Sequence, residues 1–417
     1  MGREAVASAR EIPMQRAHKI RLNPTPRQEN CLQQSCGVAR FVFNWGLAEW
    51  KRQFEAGERP SAYKLKKQLN TVKRQEFPWM YDVTKCAMDT GFRNLDSAFK
   101  NFFHRCKNGD IKKGFPHFKS KRRSRKSFRM DGDRVKIDNH WIKLEKLDEP
   151  INMTEELRFD GEIKSVTISE NAGHWYAAVN IDVESPKHEH PQKSVGIDLG
   201  IKTLAVLSDG REFENQKLFR PEFRKLKRLS RELSRRLERS GRWNRTKAKL
   251  ARFHRRIADR RMDYQHKMTT EIASTYQIIG IEDLNVAGML KNHKLALSIA
   301  DAGFGEIGRQ LHYKAEWYSS VLVEIGRFFP SSRLCRFCGC INSDLSLADR
   351  NWTCDCGAVL NRDHNAALNI ERQALNILGG SGFTDQVKNG RGADVRLFGA
   401  ICDETPKLAE ESGLPNL

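Results

Sequence analysis

Three carboxylates could do chemistry, and two of them stand in strands where an acid is costly unless something pairs it. Asp198 lies inside Ser194–Ser208 (SVGIDLGIKTLAVLS), between apolar β-formers, with Gly200 two residues on. That text reads as a buried strand turning tightly into its neighbour. A lone carboxylate in such a strand loses much of its hydration, and a divalent metal is the usual remedy. Gly200 has no Cβ, so it suits a tight turn and lets a ligand phosphate approach the backbone. A second apolar strand, Tyr276–Leu284 (YQIIGIEDL), ends in Glu282 and Asp283. Alternation sends these two to opposite faces, so only one can share a site with Asp198. Parity with Ile278 and Gly280 favours Glu282 and leaves Asp283 to cap or pair locally. The third acid, Asp363, sits in NRDHNAA at the start of a helix (LNIERQALNI). An isolated acid there is ordinarily an N-terminal cap. As the third of a series, two on strands and one on a helix, it is a candidate metal ligand. Three acids at one sheet edge would hold two Mg²⁺ ions, one activating a water and one stabilising the leaving oxygen of a phosphodiester. Like charges so close require that metal if all three are to be ionised.

The cysteines suggest a different chemistry. Of ten, five crowd between Cys335 and Cys356, which suits a metal in a reducing compartment better than a disulfide framework. Cys335-Arg-Phe-Cys338 and Cys354-Asp-Cys356 supply four thiolates, enough to close a tetrahedral Zn²⁺ site with no open position. Such a site is structural. The second pair is one residue shorter than the usual spacing, but residues two apart on an extended segment point the same way and can still chelate. Cys340 is a fifth thiol, and spacing alone leaves open whether it replaces one of the four.

Charge identifies the kind of partner. A formal net charge of +21 over 417 residues calls for a polyanion, and a nucleic acid is the natural one. No apolar run approaches the roughly 18 residues that span a bilayer, and the N-terminus has no signal-peptide core. The expectation is a cytoplasmic, nucleoid-associated protein with no membrane partner. Six lysines and arginines lie between Lys119 and Lys126, flanked by Phe115, Phe118 and Phe128. Cations interleaved with aromatic rings can hold phosphates and stack bases, which makes Lys119, Lys121, Arg122 and Arg123 candidates. Between Lys217 and Lys267, 20 bases face five acids. Leu226, Leu229, Leu233 and Leu237, then Leu250, Phe253 and Ile257, repeat helically around Ser240-Gly241. This reads as a helical hairpin with one apolar stripe and broad basic faces. Arg224, Lys227, Arg228, Arg231, Arg235, Arg252, Arg255 and Arg256 are its candidate contacts to a nucleic-acid backbone.

The remaining text supplies the elements that must position these groups. Gln15–Leu22 reads as a short strand, and NPTPRQE opens a helix with Pro26 in its first turn. Leu32, Cys36, Ala39, Phe43 and Leu47 form its packing face. Further helices over Ser61–Arg74 and Asp82–Phe103 complete a helical module. Short alternating segments from Val135 to Val183 predict a small antiparallel sheet or barrel. The early strand is expected to join it, which would make the helices an insertion. Glu184–Lys193 reads as the linker, Gly303–Trp317 as a helix and Ser320–Phe328 as a strand. The fold class is therefore multidomain, α/β plus all-β, and the segment from Gly379 to Leu417 is expected to be poorly ordered.

The order strand acid, strand acid, helix acid resembles that of ribonuclease-H-like folds. GIDLG, IEDL and NRDHNAAL match the three RuvC-type motifs of the transposon-encoded TnpB (OrfB) family, with a zinc ribbon between the second and third. NPTPRQ, RFVFNWGLAEW and GFPHFKSKRR also look like that family, and the resemblance runs from about Gln15 to Leu378. It implies a leader and first strand of a wedge-like β-barrel over 1–22, a helical recognition module over 23–110, and the barrel with linker over 111–190. A RuvC-like nuclease domain with the hairpin 217–267 would occupy 191–330, followed by the ribbon (331–360), the C-terminal helix (361–378) and the tail (379–417). It further implies RNA-guided cleavage of double-stranded DNA beside a short adjacent motif. Asp198, Glu282 and Asp363 would be the catalytic acids holding two Mg²⁺, Cys335, Cys338, Cys354 and Cys356 would hold one Zn²⁺, and the guide RNA would come from the transposon end. Functional association with a separate transposase belongs to the same picture. The sequence departs from the pattern at Cys354-x-Cys356 and at His364. A miniature type V CRISPR effector would carry the same motifs and differ in genomic neighbour. An RNA-guided repressor would not need all three acids, and an actin-like ATPase would need a second phosphate loop that the sequence lacks.

Overall fold

The computed structural model describes residues 14–111, 114–184, 188–346 and 349–380. The leader up to residue 13 and the tail from 381 onward, expected above to be loose, lie outside the described residues. The chain divides into two compact units, Met1–His188 with Gln216–Lys267 and Glu189–Asn215 with Met268–Leu417. Among the described residues no helix is long and apolar enough to cross a membrane.

The first unit begins with β1 (Met14–Asn23), whose alternate residues His18, Ile20 and Leu22 are buried. Thr25 then caps α1 (Pro26–Glu55). Its hydroxyl accepts from Gln28 N, the Gln28 side chain accepts from Thr25 N at 2.9 Å, and Pro26 occupies the first turn, where no N–H is needed. The expected packing face is buried throughout, but it serves two cores. Leu32, Cys36 and Ala39 join the core of the sheet below, whereas Val42, Phe43 and Leu47 join that of α2 (Ala62–Glu76) and α3 (Lys85–Lys107). Gly91 lets α1 and α3 touch, since a Cβ there would lie 2.6 Å from Val42 Cβ.

The strands that follow are β2 (Ser127–Asp131), β3 (Val135–Asp138), β4 (Trp141–Leu144), β5 (Ile151–Met153), β6 (Glu162–Asn171) and β7 (His174–Val183). They form an antiparallel sheet in the order β2-β6-β7-β1-β5-β4-β3. β1 lies inside this sheet, so the three helices are an insertion between β1 and β2. The edge strands β2 and β3 are joined only by Gly132–Arg134, which forces the sheet to curl until its edges nearly meet. Gly132 makes that corner possible, because a Cβ there would sit 1.7 Å from Ile163 O. One expectation is corrected here. Phe128 is not an aromatic platform beside the basic run. It is 2% exposed in the barrel core, because Phe128 and Met130 are the inward residues of β2.

The hairpin comprises α4 (Phe219–Ser234) and α5 (Gly241–Thr275), packed through Leu218, Leu229, Phe253 and Ile257. Leu237 does not extend the stripe. α4 stops at Ser234, the chain reverses through Arg239 at φ +71°, and Leu237 is 81% exposed in the turn. Although the hairpin interrupts the second unit in sequence, it packs with the first, and the Arg255 guanidinium lies 4.8 Å from the Tyr176 ring of β7.

The second unit holds a five-stranded sheet of β8 (Gln192–Leu199), β9 (Thr203–Leu207), β10 (Glu212–Glu214), β11 (Tyr276–Glu282) and β12 (Val321–Ile325), in the order β10-β9-β8-β11-β12. β8, β9 and β10 are antiparallel, while β11 runs parallel to both β8 and β12. The helices α6 (Val286–Met289), α7 (Ala296–Ala302) and α8 (Phe304–Tyr318) connect β11 to β12. A small hairpin, β13 (Asn351–Thr353) and β14 (Val359–Asn361), precedes α9 (Arg362–Gly380). α9 lies directly on the sheet through two glycines. A Cβ at Gly196 would lie 2.0 Å from Ala367 O, and one at Gly280 would lie 2.9 Å from Ala374 Cβ.

Candidate active site and zinc centre

Sheet register gathers the acids. Ile197 pairs with Ile281 in parallel, so Asp198 and Glu282 follow side by side on adjacent strands about 4.8 Å apart. They share parity with Gly196 and Gly280, the two glycines beneath α9, and therefore point to the face that α9 covers. α9 runs antiparallel to β8: Ser194 Oγ–H donates to Glu371 at 2.5 Å, and Gly196 lies under Ala367. One turn earlier on the helix comes Asp363, level with Asp198.

Each acid has a distinct environment. Burial first, then the charges of Glu282 and Asp363, push the half-buried Asp198 carboxyl up to about 7, against the pull of Arg362 and Arg350. Burial also raises Glu282, while the Ser331 hydroxyl, donating at 2.5 Å, stabilises its ionised form. Asp363 accepts two hydrogen bonds from Arg350 Nη1, at 2.8 and 2.9 Å. The cluster is thus an electronegative rim in which burial and two neighbouring acids disfavour the ionised form of the central carboxyl. Oxygen donors in such a setting fit a hard divalent ion. Asp283 stays apart from the other acids and pairs with Arg327 at 2.6 Å, a partner 44 residues on and not the local one expected.

Sequence reasoning missed the residues that brace this rim: Ser331, Arg350, Asn365 and Asn369. Asn365 and Asn369, each 1% exposed, tie the first turns of α9 to the segment leading into the ribbon. The Asn365 side chain donates to Leu334 O at 2.7 Å and accepts from Arg336 N, and that of Asn369 donates to Ser331 O at 2.8 Å and to Leu334 O at 2.7 Å. The signal was present in NAALN, where two amides four residues apart fall on one face among alanines.

Among the described residues, the group of His, Cys, Asp or Glu whose ligand atoms all lie within 4.8 Å of one another is Cys335, Cys338, Cys354 and Cys356. The Cys335–Cys356 and Cys338–Cys354 sulfurs are 3.8 and 3.4 Å apart. Tetrahedral zinc with Zn–S bonds of about 2.3 Å sets sulfurs about 3.8 Å apart, so the four thiols fit that ion. The short second pair chelates because Gly357, at φ +86°, turns the chain at once and returns its N–H to Cys354 O. Cys340 is exposed and stands outside the group, and its carbonyl accepts from Cys335 N. The backbone N–H of Cys340 and then the Cys354 thiol lower Cys338 below the ordinary thiol value, which favours the thiolate form that a metal takes.

The candidate nucleic-acid residues lie mostly in solvent. Lys121, Arg122 and Arg123 are exposed on the turn before β2, and Arg224, Lys227, Arg228, Arg231, Arg235, Arg252 and Arg256 are exposed on the hairpin. Arg255 is half-buried over Tyr176 and bonded to Asp259. Lys119 packs over the Phe43 ring at 3.9 Å, and its burial lowers its pKa.

Residues 177–293 match the family described as "Probable transposase", 304–370 the "Cas12f1-like, TNB domain", and 14–59 a "Helix-turn-helix domain". That last segment folds here as β1 and the long helix α1. A Streptomyces pristinaespiralis protein named "Putative RNA-guided DNA endonuclease" is 35% identical over 86% of this chain and 89% of its own. The Escherichia coli K12 protein "Putative RNA-guided DNA endonuclease InsQ" is 34% identical over 85% and 91%. The chain belongs to the TnpB (OrfB) family. Among solved structures, one titled "Cryo-EM structure of the Cas12f1-sgRNA-target DNA complex" matches with a TM-score of 0.51 and 15% identity over 82% of each chain. This TnpB chain therefore shares the fold of that protein with little of its sequence.

Proposed function

We propose that the chain is a transposon-associated RNA-guided DNA endonuclease, cleaving target DNA beside a short adjacent motif by metal-dependent hydrolysis at a ribonuclease-H-like, RuvC-type centre. The observation that carries the reading is the alignment of Asp198, Glu282 and Asp363 on the α9-covered face of the five-stranded sheet. The strand order, three antiparallel strands followed by two parallel ones, agrees with that fold. The names of the relatives support the activity, and the charge of +21 supports a guide RNA and a DNA duplex as partners.

Asp198, Glu282 and Asp363 would hold Mg²⁺, which when bound supplies an activated water and stabilisation of the leaving oxygen. The chain's own residues set the conditions for this. Burial and the neighbouring acids raise Asp198, so that a bound cation would favour its ionised form, while Ser331 orients Glu282 and Arg350 balances part of the charge on Asp363. The zinc ribbon fixes the segment that carries these two partners. Specificity would come from base pairing to the guide, with the protein reading backbone and the adjacent motif.

The test is to purify the protein with co-expressed RNA from the element's flank, sequence the RNA that stays bound, and assay a matched plasmid with Mg²⁺. Linear product is expected, and none from Asp198→Ala carrying the same RNA. Equal cutting by that variant would reject the catalytic assignment.

A further inference from the structure

The first unit contains a cleft of 780 Å³, within the roughly 300–1,000 Å³ typical of ligand pockets. Three segments meet there: the basic turn before β2, the β6–β7 turn and the tip of the α4–α5 hairpin. Its acids are already engaged. Glu170 pairs with Lys126 at 3.0 Å and accepts from Gly173 N at 2.8 Å, and Glu238 lies 3.8 Å from Arg239. Lys121, Arg122, Arg123 and Arg125 make no ion pair among the described residues, so their charge faces the cleft uncompensated.

One aromatic ring lines this cationic wall. Trp243 is half-buried and belongs to neither the hairpin core nor the barrel core, and its backbone N–H donates to Ser240 Oγ at 3.1 Å at the start of α5. Lys247 Nζ lies 4.7 Å from its ring centroid. The adjoining Arg239 holds φ +71°, a conformation that glycine would adopt more easily, and such strain concentrates at functional sites. A polyanion would satisfy the bases alone. An indole among them adds a stacking surface that a paired duplex, with its bases stacked on one another, cannot use.

We infer that this cleft binds an unpaired nucleotide of a single strand, with its base stacked on Trp243 and its flanking phosphates on the Lys121–Arg125 turn. The inference rests on the nuclease reading for its biological setting and adds to it a site for unstacked nucleic acid remote in sequence from the acids. The same chemistry is offered by a loop of the guide RNA and by a displaced DNA strand.

The experiment measures binding of the full-length zinc-loaded protein to a short oligouridine RNA, a short oligothymidine DNA and a DNA duplex. The variants are Trp243→Ala, Trp243→Phe and Arg122→Ala/Arg123→Ala/Arg125→Ala. Trp243→Ala should weaken single-strand binding about ten-fold, leave duplex binding unchanged, and be largely rescued by Trp243→Phe. Loss confined to RNA identifies the guide as the source, and loss confined to DNA identifies a displaced strand. The arginine variant should weaken all three ligands and flatten the salt dependence. Unchanged single-strand affinity in Trp243→Ala, or equal loss on the duplex, overturns the inference, provided that melting curves match the parent. Plasmid cleavage by the unaltered protein is scored separately, so the nuclease reading and the cleft can fail independently.

Discussion

The thiol centre and the acid rim solve the same problem, gathering like charges, by opposite means. The four sulfurs come from a short stretch, Cys335 to Cys356, and two tight turns at Gly339 and Gly357 help to bring them to metal-binding distance. The three acids, Asp198, Glu282 and Asp363, are distant in sequence and come to one end of the sheet only because two parallel strands are in register and a helix lies on two glycines. Local turn chemistry builds the closed site, whereas long-range packing builds the open one. The difference predicts that the thiol centre will tolerate distant changes and the acid rim will not.

Asp198→Ala sharpens the comparison most. It should reduce plasmid cleavage to background while leaving bound RNA and zinc content unchanged, as read by gel and by elemental analysis. Next in size is Cys335→Ser, which should lose the zinc, lower the melting temperature, and also impair cleavage through the Asn365 and Asn369 ties to Ser331 and Leu334. Cys340→Ser should retain the full metal content. Gly196→Ala would break the rim without touching an acid. Its Cβ clashes with Ala367 O, so a destabilisation of about 1–3 kcal/mol is expected by denaturant titration, with zinc retained.

The smallest effect concerns Asp198 in the metal-free protein. Its carboxyl is raised to about 7, so the folded state favours the protonated form, and its contribution to stability is lost as pH rises through that value. Asp198→Asn should therefore raise the melting temperature at about pH 8 but hardly at about pH 4, by about 2–4 °C per kcal/mol relieved. No pH-dependent gain would mean that the three charges do not burden one another.

Legibility in the sequence followed the same division. The cysteine cluster, the helix start at Pro26 and the strands bearing Asp198 and Glu282 could be read because spacing and alternation are local signals. Ser331 and Arg350 could not, since nothing near them in sequence shows which acid each will meet. Phe128 was misassigned because β2 has only five residues and follows a run of bases that masks its period. Leu237 continued a helical spacing past the point where the helix ends, and only the backbone reversal at Arg239 marks that stop. The hairpin's packing on the first unit was invisible to chain order, because it depends on Arg255 meeting Tyr176 across a long sequence separation.

The divided loyalty of α1 limits how the protein can be miniaturised. Its opening turns, with Leu32, Cys36 and Ala39, help to fill the barrel, while its later turns fill the helical module. The insertion is therefore not a detachable cassette: excising everything between Asn23 and Ser127 would leave a hole under the barrel where those three side chains and Cys86 of α3 had been. A shortened version has to keep the helix at least through Ala39 and replace the volume that Cys86 of α3 contributes.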